Sequence, residues 1–393
     1  MTMTRHTVRQ LRIPAVFMRG GTSKAIILHA RDLPEDEAER HRIFLRAIGS
    51  PDSGRRQLDG LGGGVSSLSK ICVIGPPTRP DADVDYTFIQ IPVTGDVPDY
   101  SANCGNMSSA IGPFCVEEGL VSTDDGETVI RIHNTNTSKI IESRFQVQDG
   151  LPLVEGDFVN PGVAGSGAPI QLDFLDPGGA GTGRLLPTGT VLDTLDDPIL
   201  DGPVTASLVD ATNAVVFVHA ETMGLTGYET PDDIEARGDV MARLEAIRCV
   251  ASVRVGLAPD TNAARTLAGS PKIAMVAAPR AYVSTAGEEI AADDFDIAVR
   301  MISMGQAHRA VTLTGAMCTG VAAGIAGSCV ADTAGSELGD LVRIGHSSGV
   351  MPVKAQVLKD DTGWQVERAT VFRTSRRLME GSVLVPPPPS KDA

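Results

Sequence analysis

The stretch between Tyr100 and Leu120 constrains the fold more than any other part of the chain. It begins with turn-forming residues around Cys104 and continues with small and apolar residues at helical spacing as far as Gly119. Glycine commonly follows the last turn of a helix. The pattern therefore predicts a helix that begins just after Cys104 and ends before Gly119.

The start of this helix is a candidate functional site. The first turn of a helix has unpaired backbone N–H groups and a partial positive charge, which favour an anion such as a thiolate or a bound carboxylate. Gly105 would let a ligand come close to the backbone. Cys104 could instead be a small buried apolar residue, as most free cysteines are. Its neighbours Asn103 and Asn106 are turn-forming residues, which favours the functional interpretation.

The second half of the sequence repeats the order of motifs found in the first half. A strand, a polar turn and a second strand over 11–28 have counterparts over 203–218. Each half then has a strand that opens with a lysine, Lys70 or Lys272, and the small-residue helix of the first half has its counterpart around Cys318. The repeat predicts an α/β protein with two similar lobes that face each other across a cleft, where ligand sites commonly lie.

The domain boundaries follow from this repeat. We place the N-terminal lobe at residues 1–185 and the C-terminal lobe at 186–365, and 366–386 is a segment that could return to the first lobe. The proline-rich residues 387–393 are predicted to form a disordered tail.

Most other elements are predicted to be short strands. The chain has 42 glycines and 25 prolines and only 4% aromatic residues, a composition typical of many turns and strands. Longer helices are predicted at 34–48, 231–249, 295–303 and 369–381.

Composition excludes several classes of partner and compartment. The net charge of -15 at pH 7 argues against nucleic acid or an anionic membrane as a partner. Six cysteines without clustered spacing predict neither a disulfide framework nor a zinc site. The first residues lack the apolar segment of a secretory signal, and no stretch approaches the roughly 20 apolar residues of a membrane span. We therefore predict a cytoplasmic protein.

The candidate residues suggest proton transfer on carbon. Thiols and amines have ordinary pKa values of about 8.5 and about 10.4, and both values fall near cations or helix N-termini. If Lys70, Cys104, Lys272 and Cys318 share the cleft, they could remove and return a proton. The helix N-termini and Arg19 would then hold substrate carboxylates and stabilise the enolate-like charge that develops.

No cofactor is expected for this chemistry. The glycine-rich segment 59–75 lacks the third glycine of a dinucleotide-binding loop, and no glycine precedes Lys70 as a phosphate-binding loop requires. A C–H bond that neighbouring carboxylate, carbonyl or alkene groups already acidify needs no cofactor. The residues therefore indicate epimerisation or double-bond migration on a polycarboxylic acid.

Five segments together resemble the PrpF family of methylaconitate and oxalomesaconate isomerases: Met18–Lys24, Asp59–Lys70, Ser101–Phe114, Ser270–Pro279 and Gly345–Gly349. The likeness runs from about residue 11 to 386. It implies the diaminopimelate epimerase-like fold, with two pseudo-symmetric lobes that each wrap a mixed sheet around a central helix. It also implies a cofactor-independent 1,3-allylic proton shift on an unsaturated tricarboxylate such as 2-methylaconitate or 4-oxalomesaconate.

The matching motifs also imply roles for individual residues. Lys70 would be the proton-transferring base and Cys104 its partner, while the amides of Gly105 and Asn106 would hold a substrate carboxylate. Cys318 is either a further participant or only a small helix residue. The remaining residues implied in substrate binding are Arg19, Gly20, Gly21, Thr22, Ser23, Ser66, Ser67, Asn103, Ser270, Lys272, His308 and Ser347.

Two alternative functions fit the sequence. A two-base racemase or epimerase of the same fold would use Cys104 and Cys318 as paired thiols. A non-catalytic accessory or binding partner of an iron–sulfur dehydratase belongs to a different class and would not depend on Lys70. The expected ligand is a small polycarboxylate and a homodimer is compatible with the sequence, which specifies neither the substrate nor the direction of reaction.

Overall fold

The computed structural model describes residues 10–101, 103–334, 338–339 and 341–387 of the 393-residue chain. The predicted tail therefore lies outside the described residues except for residue 387. The α-helices are α1 (Glu37–Ile48), α2 (Gly105–Glu117), α3 (Pro231–Ala236), α4 (Gly238–Arg254), α5 (Thr261–Thr266), α6 (Leu313–Ala323) and α7 (Cys329–Ala334).

The strands of the described residues are numbered in chain order. They are β1 (Leu11–Gly20), β2 (Ser23–His29), β3 (Lys70–Gly75), β4 (Val84–Gln90), β5 (Gly126–Asn134), β6 (Lys139–Gln148), β7 (Leu151–Pro152), β8 (Phe158–Val159), β9 (Ser166–Gly167), β10 (Ile170–Leu175), β11 (Asp193–Leu195), β12 (Val204–Ala211), β13 (Asn213–His219), β14 (Lys272–Ala277), β15 (Tyr282–Val283), β16 (Glu289–Ile290), β17 (Ile297–Ser303), β18 (Gln306–Ala307), β19 (Leu341–His346), β20 (Gly349–Asp360), β21 (Gly363–Arg373) and β22 (Ser375–Val385).

Two runs of strands follow the same pairing pattern along one continuous sheet. From β1 to β6, successive pairs are antiparallel, parallel, antiparallel, parallel and antiparallel. The strands β12, β13, β14, β17, β19 and β20 repeat that order. The prediction of a mixed α/β fold with two similar lobes is confirmed. Lys70 and Lys272 open the third strand of each run, so the repeat places them at corresponding positions.

The two lobes share strands at their junction. β10 pairs with β6 of the first lobe and with β21, and β21 pairs in turn with β20 of the second lobe. The last strand, β22, pairs antiparallel with β1 from Leu11 to Gly20. The residue numbers at which the lobes divide stay a prediction.

Each lobe wraps its strands around one buried helix. α2 packs against strands of the first run, including β1, β5 and β6, and α6 packs against β12, β13 and β20 of the second run. Every residue of α6 is buried, and so is α2 from Gly105 to Val116. A helix enclosed on all sides must be apolar or small all round, which explains the composition of both segments. Within the described ranges, no helix is both long enough and apolar enough to cross a membrane.

Two of the predicted helices are wrong. The segment 295–303 forms the strand β17, which lies between β14 and β19 and is buried from Ile297 to Ile302. A short, mainly apolar segment of this length does not distinguish a buried helix from a buried strand. The segment 369–381 contains the end of β21 and most of β22, and its β-branched residues Thr370 and Val371 fit a strand better than a helix.

Candidate active site

The helix α2 begins where the sequence predicts, with Cys104 as its N-cap and Gly105 as its first residue. The tip of the β1–β2 hairpin packs against this helix start. A Cβ atom on Gly20 would lie 2.6 Å from the backbone oxygen of Asn106, and one on Gly21 would overlap Asn106 Oδ1. Gly21 also has a φ of +46°, which favours glycine. The hairpin can approach the helix only because these two residues lack side chains.

The hairpin tip orients the side chain of Asn106. Asn106 Nδ2 donates to Thr22 Oγ1 at 3.1 Å, and Arg373 Nε donates to Asn106 Oδ1 at 3.2 Å. Arg19 Nη1 donates to the backbone oxygens of Gly21 and Thr374 at 3.0 and 2.9 Å. Arg19, Gly20, Gly21 and Thr22 therefore support the helix start and do not line the cavity described next.

A cavity of about 660 Å³, its open mouth included, lies between the lobes. The starts of β3 and α2 contribute to it from one lobe, and the starts of β14 and α6 contribute from the other. The predicted site residues that line it are Ser23, Ser66, Ser67, Lys70, Asn103, Cys104, Gly105, Asn106, Lys272 and His308.

Two buried lysines give the cavity its cationic character. Lys70 Nζ donates to Gln90 Oε1 at 2.5 Å, and Lys272 Nζ donates to the backbone oxygen of Gly269 at 2.9 Å. Neither lysine forms an ion pair within the described part of the chain. Burial, and then the charge of Lys70, lowers the pKa of Lys272 from 10.5 to about 8. The cavity therefore suits an anionic ligand despite the chain's net charge of -15.

Gln90 is a site residue that the sequence analysis missed. Its Nε2 donates to the backbone oxygens of Ser66 and Ser69 at 3.0 and 2.9 Å, which directs Oε1 towards Lys70. A glutamine within a strand has no distinctive chemical signature, although Gln90 lies directly opposite Lys70 in the β3–β4 pair. The other lining residues outside the predicted set are Phe88, Asp99, Gly269, Ser303, Met304, Thr312, Leu313 and Thr314.

The two cysteines predicted to face each other lie in different surroundings. Cys104 is half-buried at the cavity, with its Sγ 4.0 Å from Ser23 Oγ. Unlike Cys104, Cys318 does not open its helix: Thr312 is the N-cap of α6, and Cys318 lies in the second turn. Its thiol donates to the backbone oxygen of Val209 at 3.3 Å, and burial raises its pKa. Cys318 is absent from the cavity lining because α6 directs it into the core of its lobe.

Two predicted serines also lie away from the cavity lining. Ser270 Oγ donates to Asn213 Oδ1 at 3.1 Å, just before the start of β14. Ser347 is buried beyond β19, and its Oγ has no hydrogen-bond partner among the described residues. The matching motifs imply that both serines bind substrate, but neither serine lines the cavity.

Known proteins similar to this chain are isomerases. A model of the protein family described as PrpF protein matches residues 10–386. The chain is 44% identical over 382 residues to the 3-methylitaconate isomerase of Eubacterium barkeri, covering 96% of this chain and 98% of that protein. It is 37% identical over 390 residues to the 2-methyl-aconitate isomerase of Shewanella oneidensis, again covering 96% and 98%.

Solved structures agree with the predicted fold. The crystal structure of a methylitaconate-delta-isomerase matches with a TM-score of 0.80 at 44% identity, over 96% of each chain. A hydroxyproline epimerase from Agrobacterium vitis matches with a TM-score of 0.52 at 13% identity, over 99% of this chain and 95% of that chain. The second likeness concerns the fold alone, and it confirms the predicted epimerase-like architecture.

Proposed function

The chain belongs to the PrpF family, and we propose that it is a cofactor-independent isomerase that moves a double bond in an unsaturated tricarboxylate. The reaction is a 1,3-allylic proton shift. The observation that carries the proposal is the convergence of Lys70, Cys104 and Lys272, from two lobes, on one cationic cavity. The names of the similar isomerases support an unsaturated polycarboxylate as substrate, with 2-methylaconitate and 4-oxalomesaconate as our first candidates.

The lysines, the cysteine and the helix start that line the cavity each have a part in this reaction. The amine of Lys70 removes the allylic proton, and Cys104, at the adjacent helix start, is the second proton-transfer group. The electron pair left behind delocalises towards a carboxylate, and the double bond shifts as a proton returns at the far carbon. Lys272 and the first backbone N–H groups of α2, at Gly105 and Asn106, hold substrate carboxylates.

The two alternatives have weaker support. A two-base epimerase needs Cys318 as a second thiol, and Cys318 lies outside the cavity lining. An accessory protein has no need for buried lysines from both lobes in one cavity. We further propose a cytoplasmic enzyme that acts on a small molecule, with a homodimer as its assembly.

Proton NMR in deuterated water tests the activity. The purified protein is incubated, without added cofactor, with 2-methylaconitate, 4-oxalomesaconate, aconitate and 3-methylitaconate in turn. We expect the double bond of at least one acid to move, with deuterium entering the allylic position. Epimerisation without movement of a double bond, or no turnover of any of these acids, would contradict the proposal.

A further inference from the structure

His308 lines the cavity, and among the described residues only Nδ1 of its two ring nitrogens has a hydrogen-bond partner. It follows the short strand β18, and its backbone N–H donates to the backbone oxygen of Met301 at 2.8 Å. The backbone N–H of Ala310 donates to His308 Nδ1 at 3.2 Å. A ring nitrogen that accepts a hydrogen bond carries no proton, so in the neutral ring the proton is on Nε2. Nε2 is thus the donor that remains for a ligand in the cavity.

The surroundings of His308 keep its ring neutral. Lys70 and Lys272 lie close enough to oppose a further positive charge, and the buried His346, the last residue of β19, is near enough for its own pKa to be lowered by His308. Burial is the main cause, followed by these lysine charges, and together they lower the pKa of His308 to about 4. At neutral pH the cavity therefore has an uncharged N–H donor beside the two lysine side chains.

We propose that His308 is a catalytic residue whose Nε2–H donates a hydrogen bond to the substrate oxygen on which negative charge develops when the allylic proton leaves. This inference rests on the proposed isomerase function. When the C–H bond breaks, its proton passes to the amine of Lys70 and its electron pair spreads onto a carboxylate oxygen. The Cys104 thiol then gives its proton to the other end of the allylic unit, which forms the new C–H bond. The proton on Lys70 is released to solvent and the Cys104 thiolate takes one up, while His308 keeps its own proton throughout.

A neutral donor suits this role better than a cation. An imidazolium would bind the substrate carboxylate strongly before reaction, and such uniform binding does not accelerate the chemical step. A neutral N–H forms a bond that strengthens as charge accumulates on the oxygen, and it is already in place before the reaction. Neutral imidazoles act in this way in other enzymes that form enediolates.

Two substitutions separate catalysis from binding. H308A removes the donor, whereas H308Q keeps an uncharged N–H donor near the position of Nε2. We expect kcat of H308A to fall by about a hundredfold or more with little change in KM, and kcat of H308Q to recover at least about tenfold relative to H308A. H219A, which alters a histidine outside the cavity, is the matched control and should keep wild-type kinetics.

The outcomes distinguish this inference from the proposed function. If the wild-type protein isomerises an acid but H308A keeps its kcat, or only its KM rises, His308 is not catalytic and the isomerase function stands. If the wild type isomerises none of the acids, the proposed function itself fails.

Nitrogen-15 NMR of the histidine rings tests the same inference without activity and without relying on the folding of a variant. The absence of one signal from H308Q identifies His308, or, if that variant does not fold, His308 is identified through its contact with Ala310. We expect a neutral ring protonated on Nε2 from about pH 6 to about pH 8. An imidazolium, or a ring protonated on Nδ1, in this range would overturn the proposal.

Discussion

Lys272 carries a charge in the cavity at a cost to the stability of the fold. Burial and the charge of Lys70 lower its pKa from 10.5 to about 8. Between these two pH values the unfolded chain binds more protons than the folded chain, so stability rises as the pH increases through this window. At neutral pH, below both pKa values, the folded state bears the full free-energy cost of keeping the buried Lys272 protonated.

We therefore predict that K272M is more stable than the wild type at pH 7, although it is less active. The gain in the free energy of unfolding is at most about 3.5 kcal/mol, since one pKa unit corresponds to about 1.4 kcal/mol. The gain should shrink as the pH approaches about 10.5. Urea unfolding at both pH values measures it, with K354M, at an exposed position of β20, as the control. Equal stability of K272M and the wild type at pH 7 would contradict the prediction.

Gln90 gives Lys70 an acceptor without a charge. In Q90E a carboxylate would replace that acceptor and hold Lys70 as an ammonium ion, which cannot act as a base. We predict that the acidic limb of the kcat/KM profile moves about 1 pH unit or more to higher pH. Q57E, on the neighbouring loop, changes a buried amide that does not contact Lys70 and is the control. If the acidic limb of the kcat/KM profile of Q90E stays where it is in the wild type, the contact between residue 90 and Lys70 does not influence the base.

At the scale of single residues, the sequence predicts a site residue when its chemical type differs from that of its neighbours. Cys104 and Lys70 stand beside turn-forming glycines, asparagines and serines, and this contrast makes them visible in the sequence. Gln90 acts only because the β3–β4 pairing places it opposite Lys70, and the tautomer of His308 depends on a backbone N–H two residues later. Such roles arise from tertiary geometry that residue types alone do not encode.

At the scale of elements, the β1–β2 hairpin and the start of α2 form one unit. Gly20 lies against the backbone of Asn106, where the structure leaves no room for a side chain. We predict that G20A is destabilised by about 1–3 kcal/mol, as in other overpacked sites, and that kcat falls because the helix start is displaced. G75A is the matched control, since its added Cβ would meet Ala30 Cβ at an ordinary 3.5 Å.

Thermal unfolding and steady-state kinetics of G20A and G75A measure both effects. Wild-type stability and kcat in G20A would show that the hairpin can move away from the helix without consequence for the site.

The elements that were predicted correctly have clear boundaries in the sequence. Gly119, with a φ of +64°, follows the end of α2, and the polar turn between β1 and β2 separates two apolar runs. The strand β17 was predicted as a helix because it is buried on both faces and has no polar alternation. For such a segment the pairing partners decide the conformation, and these come from distant parts of the chain.

At the scale of the whole molecule, the two lobes share both strands and a hydrophobic core. β10 and β21 continue the sheet from one lobe to the other, and a single hydrophobic cluster includes Met107 of α2 and Met317 of α6. The repeat of Lys70 and Lys272 indicated two similar lobes. It could not indicate this junction, because the strands β10 and β21 come from segments that are far apart in the sequence.

We predict from this continuity that the described lobes unfold together. The chain has a single tryptophan, Trp364, which lies in β21 opposite Lys359 of β20 and so reports on the second lobe. Its fluorescence and the far-ultraviolet circular dichroism should therefore follow one coincident transition in urea. Two separate midpoints would show that the lobes unfold independently in spite of the shared strands.

The central claim is that the cavity between the lobes moves an allylic proton through Lys70. The most direct measurement is the rate of deuterium incorporation and double-bond movement in 2-methylaconitate, followed by proton NMR for the wild type and for K70A. We predict that the wild type catalyses both and that K70A loses about a hundredfold or more in rate while its melting temperature is unchanged. Equal rates in K70A and the wild type would contradict the claim.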